Sequence, residues 1–95
     1  MMQSQTINIK NLPNVSLENT KNLPISAGIY FVVSDENIQY IGKSISLRTR
    51  WLNHHRMEEI KKCSNVKIHY LIVEQAENLN QLERRFISFF FLIRF

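Results

Sequence analysis

The chain has 95 residues, 44% of them apolar and 21% charged, enough for one hydrophobic core and too few for two independently folding units. Such a composition excludes wholesale disorder and a membrane-spanning protein. Twelve Lys and Arg against eight Asp and Glu give a net charge of +4, which favours polyanionic partners without identifying one.

Residues 1–26 are polar, and the tetrapeptide Lys-Asn-Leu-Pro occurs twice, at Lys10 to Pro13 and Lys21 to Pro24. Each Pro lacks a backbone donor and pushes the preceding Leu away from helical angles, so both copies read as extended or turn segments. Alternation at Ile7 and Ile9 suggests an edge strand, and Val15 and Leu17 are candidates to cover part of the core. This stretch is expected to be an extension of a domain over residues 27–95. Its first ten residues lack the basic start, apolar core and small-residue cleavage site of a signal peptide, so a cytoplasmic protein is expected.

In residues 28–33, Ile29, Phe31 and Val33 alternate with Tyr30 and Val32, and the β-branched and aromatic content predicts a strand. A polar turn over Ser34, Asp35, Glu36 and Asn37 leads to a second short strand, 38–41, making a β-hairpin. With a three-residue loop, the register sets Tyr30 directly opposite Tyr40 on one face. Gly42 is read as the strand's end, and Ser46 as the N-cap of a helix over about 47–61. On that helix Arg50 and His54, four residues apart, share a face, with Leu47 and Trp51 on an adjacent one.

Residues 66–73 are apolar on both faces in their second half, as expected of a central, covered strand. From about residue 78, Leu79, Leu82, Phe86, Phe90 and Ile93 follow a 3.6-residue period and predict a helix with a heavy apolar stripe. Glu83 sits beside that stripe, where a partly buried carboxylate needs a cation or a strong hydrogen-bond partner, a nearby Arg being the plain alternative. The run 86–95 is interrupted by Ser88 and Arg94 and is too short to span a bilayer. Cys63 is the only cysteine, so no intramolecular disulfide forms, and a zinc site is not expected.

Gly28-Ile29-Tyr30 and Tyr40-Ile41-Gly42 lie in consecutive strands with nine residues between them. Arg50 follows eight residues after Gly42, His54 one helical turn later, and Glu83 in the last helix. In this order and spacing the sequence resembles the GIY-YIG nuclease family over about residues 27–90. The resemblance implies an α/β (α+β) fold with a central three-stranded antiparallel sheet flanked by helices. It also implies metal-dependent endonucleolytic hydrolysis of DNA, with Tyr30, Tyr40, Arg50, His54 and Glu83 catalytic and Glu83 the ligand of a divalent metal, Mg2+ or Mn2+. Tyr30 would take the proton of the attacking water; a phenol needs cationic neighbours for that, and Arg50 and Lys43 are candidates. Lys43, Ser44, Arg48 and Arg56 are the candidate nucleic-acid-binding residues. Related nucleases that cut at defined sites usually add a separate DNA-reading domain, so sequence specificity here is expected to be low or supplied by a protein partner.

Family members commonly close the last helix with an Asn-Pro-Pro-Leu-Asn type segment. The position of its final Asn, twelve residues beyond Glu83, is Phe95 here. This atypical end points to two alternatives: a nucleic-acid-binding module with impaired turnover, or an interaction domain that uses its apolar C-terminal residues.

Overall fold

A computed structural model describes residues 9–52 and 57–90. Four antiparallel strands form one sheet: β1 (Asn14–Ser16), β2 (Gly28–Ser34), β3 (Asn37–Ser44) and β4 (Val66–Ile72), in spatial order β1-β4-β2-β3. Helices α1 (Leu47–Leu52) and α2 (Met57–Ile60) lie between β3 and β4, and α3 (Leu79–Phe90) follows β4. The single helix expected over 47–61 is helical on both sides of residues 53–56, which fall outside the described residues. No helix among the described residues is long and apolar enough to cross a membrane.

Among the described residues the sheet has four strands, correcting the three implied by the resemblance. The fourth, β1, pairs Val15 with Ile68 and covers the outer edge of β4, satisfying backbone groups that would otherwise be open, as in the bond from Tyr70 N to Pro13 O at 3.0 Å. Three residues with one apolar side chain carry no readable alternation. Ile9 instead lies in a 3-10 turn, Ile9–Asn11, and Ile7 is outside the described residues. Both Lys-Asn-Leu-Pro copies leave such a turn for extended chain, closed by Leu12 N to Ile9 O and Leu23 N to Thr20 O, each at 3.0 Å.

The sheet separates two apolar layers. On one face Tyr30, Val32, Ile68 and Val66 pack with Leu23, Leu47, Trp51 and Ile60, and Val15 and Leu17 lie against them as expected. On the other, Ile29, Phe31 and Ile41 meet the α3 stripe of Leu79, Leu82, Phe86 and Phe90, with the Phe31 and Phe86 rings edge to face at 5.3 Å. Ile93 is outside the described residues.

The hairpin register also departs from expectation: Tyr30 lies opposite Gly42, and Tyr40 opposite Val32. Its turn has two residues, Asp35 and Glu36, both at positive φ (49° and 70°), and a bulge at Gln39 shifts the register by one more residue. Asn65 Nδ2 donates to Asp35 Oδ1 at 2.7 Å and Lys10 pairs with Glu36 at 3.2 Å, so the turn is held from outside.

Candidate active site

Both tripeptide glycines are explained by close approach. A Cβ on Gly28 would stand 2.5 Å from the Leu71 carbonyl oxygen of the neighbouring strand. A Cβ on Gly42 would collide with Cζ and Oη of Tyr30, whose ring lies across the bare backbone of β3. Tyr30 is thereby fully buried, with Trp51 edge-on at 5.3 Å and Tyr40 tilted beside it at 6.1 Å. The two phenols share a face as diagonal rather than direct partners, which still leaves aromatic rings within reach.

Arg50 reaches this pair from α1, its Nε donating to Tyr30 Oη at 3.5 Å. Hydrogen bonding to Tyr30, with a further contribution from Tyr40, holds the guanidinium above its usual value. The Tyr30 phenol is pushed well above its ordinary value, chiefly by burial; Arg50 opposes the shift, and Tyr40 and Glu83 add to it. At neutral pH Tyr30 therefore keeps its proton.

The first turn of α1 is fully committed. Leu47 N and Arg48 N donate to Ser26 O and Pro24 O at 3.1 and 3.0 Å, and Thr49 N to Ser46 Oγ at 3.4 Å, so Ser46 is the expected N-cap. Arg48 also donates from Nε to Leu23 O at 2.8 Å, which ties down the N-terminal segment. Two positions before Arg50, it leaves the helix in a direction some 200° away. Ser44 Oγ donates to Ser46 O at 2.7 Å and accepts from Ser46 N at 3.0 Å, and so shapes the entry to α1.

Glu83 stands on α3, across the sheet from Tyr30, and its ion-pair partner is Lys43, with Nζ 3.2 Å from Oε1. The strand does not stop at Gly42 but runs to Ser44, so Lys43 alternates onto the α3 face while Tyr40 and Gly42 face α1. The cationic neighbour of the Tyr30 phenol is accordingly Arg50, whereas Lys43 serves the carboxylate. Because β3 is an edge strand among the described residues, both faces meet there, and Glu83 is near enough to influence Tyr30. Tyr30, Tyr40, Arg50, Lys43 and Glu83 thus gather along one edge; His54 and Arg56 lie outside the described residues. The sequence reading placed Trp51 with Leu47 on a face beside that of Arg50 but missed its contact with Tyr30, and it missed the partner of Glu83. The four-residue step from Leu47 to Trp51 marks the first, and strict alternation from Tyr40 to Lys43 would have marked the second.

Among the described residues no three His, Cys, Asp or Glu side chains cluster as a metal cage. The donor set is the Glu83 carboxylate, a hard oxygen ligand that already has a cation beside it. It fits a divalent ion that keeps several waters and takes its remaining ligands from substrate phosphate.

Two phenols, a guanidinium and a carboxylate therefore meet near the β3 edge of a small antiparallel sheet. A profile of the GIY-YIG catalytic domain matches residues 26–91, and the chain belongs to the GIY-YIG family. A sequence search of curated proteins finds no match. Among solved structures, the chain is similar to the GIY-YIG N-terminal endonuclease domain of UvrC from Thermotoga maritima bound to magnesium, its catalytic divalent cation. The TM-score is 0.68 at 20% identity, covering 79% of this chain and 89% of that one. A tyrosine-to-phenylalanine variant of that domain, bound to its catalytic divalent cation, gives 0.69 at 18% identity, covering 79% and 88%. At these identities the likeness is one of fold.

Proposed function

We propose that this chain is an endonuclease that hydrolyses DNA phosphodiester bonds with one divalent cation, Mg2+ or Mn2+, held by Glu83. The observation that carries the reading is the meeting, at one sheet edge, of the Arg50-linked phenols and a carboxylate with 17% of its side chain exposed. When bound, the cation supplies Lewis acidity that neutralises charge on the scissile phosphate and the leaving oxygen.

The chain's own groups divide the remaining work. Arg50 presents planar donors to the phosphate and to charge that builds in the transition state. Tyr30 Oη is assigned the attacking water: protonated at rest, it holds the water by hydrogen bonding, and it takes the water's proton only once its own phenolic proton has passed to solvent, a loss that Arg50 favours. Tyr40 orients the same water, and His54 is assigned here on its spacing from Arg50. Lys43, Arg48 and Arg56 supply positive charge to the DNA backbone, and the neutral Ser44 hydroxyl donates to a phosphate only if its bond to Ser46 O opens. Target specificity is low or comes from a partner protein.

The test is nicking of supercoiled plasmid by purified protein with Mg2+ or Mn2+, beside Glu83→Ala and Tyr30→Phe. Metal-dependent nicking that falls by about 100-fold or more in both variants is expected. Salt-sensitive DNA binding without nicking by the parent would instead establish the binding module.

A further inference from the structure

Lys43 Nζ lies 3.2 Å from Glu83 Oε1, on the carboxylate assigned to the divalent cation. The two side chains are unequally placed, Glu83 17% exposed and Lys43 38%. A carboxylate so far out of water needs a positive charge beside it at all times. Glu83 is anchored, because Leu79, Leu82 and Phe86 of α3 pack into the core around it. Lys43 is a compact ammonium on a flexible four-carbon stem, and can leave while β3 stays in place. An ammonium and a divalent ion on one carboxylate repel each other, so the two compete.

We propose that Lys43 is the resident counter-cation of Glu83, that a divalent cation binds by displacing it, and that the released ammonium moves to a phosphate of the DNA. The inference rests on the nuclease reading above and adds to it a coupling between metal and substrate. Freed from Glu83, the ammonium lacks a counter-charge until DNA provides one, so DNA tightens metal binding and the metal tightens DNA binding by the same factor. The ion pair of Glu83 is with Lys43, whereas Arg48 Nε is bonded to Leu23 O and Arg50 Nε to Tyr30 Oη, so Lys43 is the cation that a metal at Glu83 meets.

Electron paramagnetic resonance of free Mn2+ measures metal affinity for the full chain and for Lys43→Met, Lys43→Gln and Lys43→Arg, with and without a short DNA duplex. Circular dichroism confirms that each variant is folded, and the Met and Gln variants cover for each other. Without DNA, the two neutral variants bind Mn2+ about fivefold or more tightly than the parent, while Lys43→Arg, which keeps the charge, stays near the parent. DNA then tightens Mn2+ binding to the parent by a similar factor and has little effect on the neutral variants. Equal Mn2+ affinity in the parent and the neutral variants overturns the displacement and leaves the metal site standing. No Mn2+ binding by any of the four proteins, with or without DNA, overturns both.

Discussion

Tyr30 is enclosed by the Trp51 ring, the Tyr40 ring and the backbone of Gly42, and its hydroxyl meets a charged group, Arg50. A methyl group at Gly42 has no space, so Gly42→Ala must push the ring out of register with Arg50. Overpacking of this kind costs about 1–3 kcal/mol, to be read from urea denaturation. In a Tyr30→Ala background the same change should cost almost nothing, and additive losses in that double-mutant cycle would show that the ring does not rest on this glycine. The phenol also makes an alkaline prediction. Its value is raised in the folded chain, so the folded state keeps a proton that the unfolded chain loses near pH 10. The stability this provides is fully present below about pH 10 and is lost as pH rises from there towards the folded value. Thermal melts above pH 9 should show a falling midpoint whose slope is reduced in Tyr30→Phe; an unchanged slope would remove Tyr30 from the account.

At the scale of elements, what was legible followed from periodicity. Ile29, Phe31 and Val33 alternating with Tyr30 and Val32 defined β2, and Leu79, Leu82, Phe86 and Phe90 at helical spacing defined α3, because each pattern matches a face that is in fact buried. The register was not legible. Two-residue turns with positive φ are signalled by Asn-Gly or Asp-Gly, whereas here Asp35 and Glu36 adopt it and are held by Asn65 and Lys10. The bulge at Gln39 leaves no mark in composition either. Taking Gly42 as a terminator was reasonable by propensity and wrong in context: the glycine makes room for a ring, the strand continues, and Lys43 reaches the α3 face. Spacing named Tyr30, Tyr40, Arg50 and Glu83, which the fold brings toward one edge, while the ion pair that joins Lys43 to Glu83 depended on a boundary that spacing did not give.

For the whole molecule, the question is how far the N-terminal residues belong to the structural unit. The family profile begins at residue 26, yet β1 pairs with β4 and Leu23 is fully buried in the layer that holds Tyr30 and Trp51. Pro24 O and Leu23 O also accept bonds from Arg48, which fixes the first turn of the helix that carries Arg50. A chain trimmed to residues 26–91 would lose all of these at once. Removing Leu23 opens a cavity worth about 2–5 kcal/mol, and β4 becomes an open edge with Ile68 and Tyr70 beside it, a template for association. A domain of this size has only about 5–15 kcal/mol in total. The trimmed chain should melt about 15 °C or more below the parent, and light scattering should show association; Leu23→Ala in the full chain should reproduce part of the fall without the association. A trimmed chain that scatters light and melts as the parent does would mean that residues before 26 only decorate the sheet. Loss of both properties would mean that the N-terminal segment holds α1, and Arg50 with it, against the phenols.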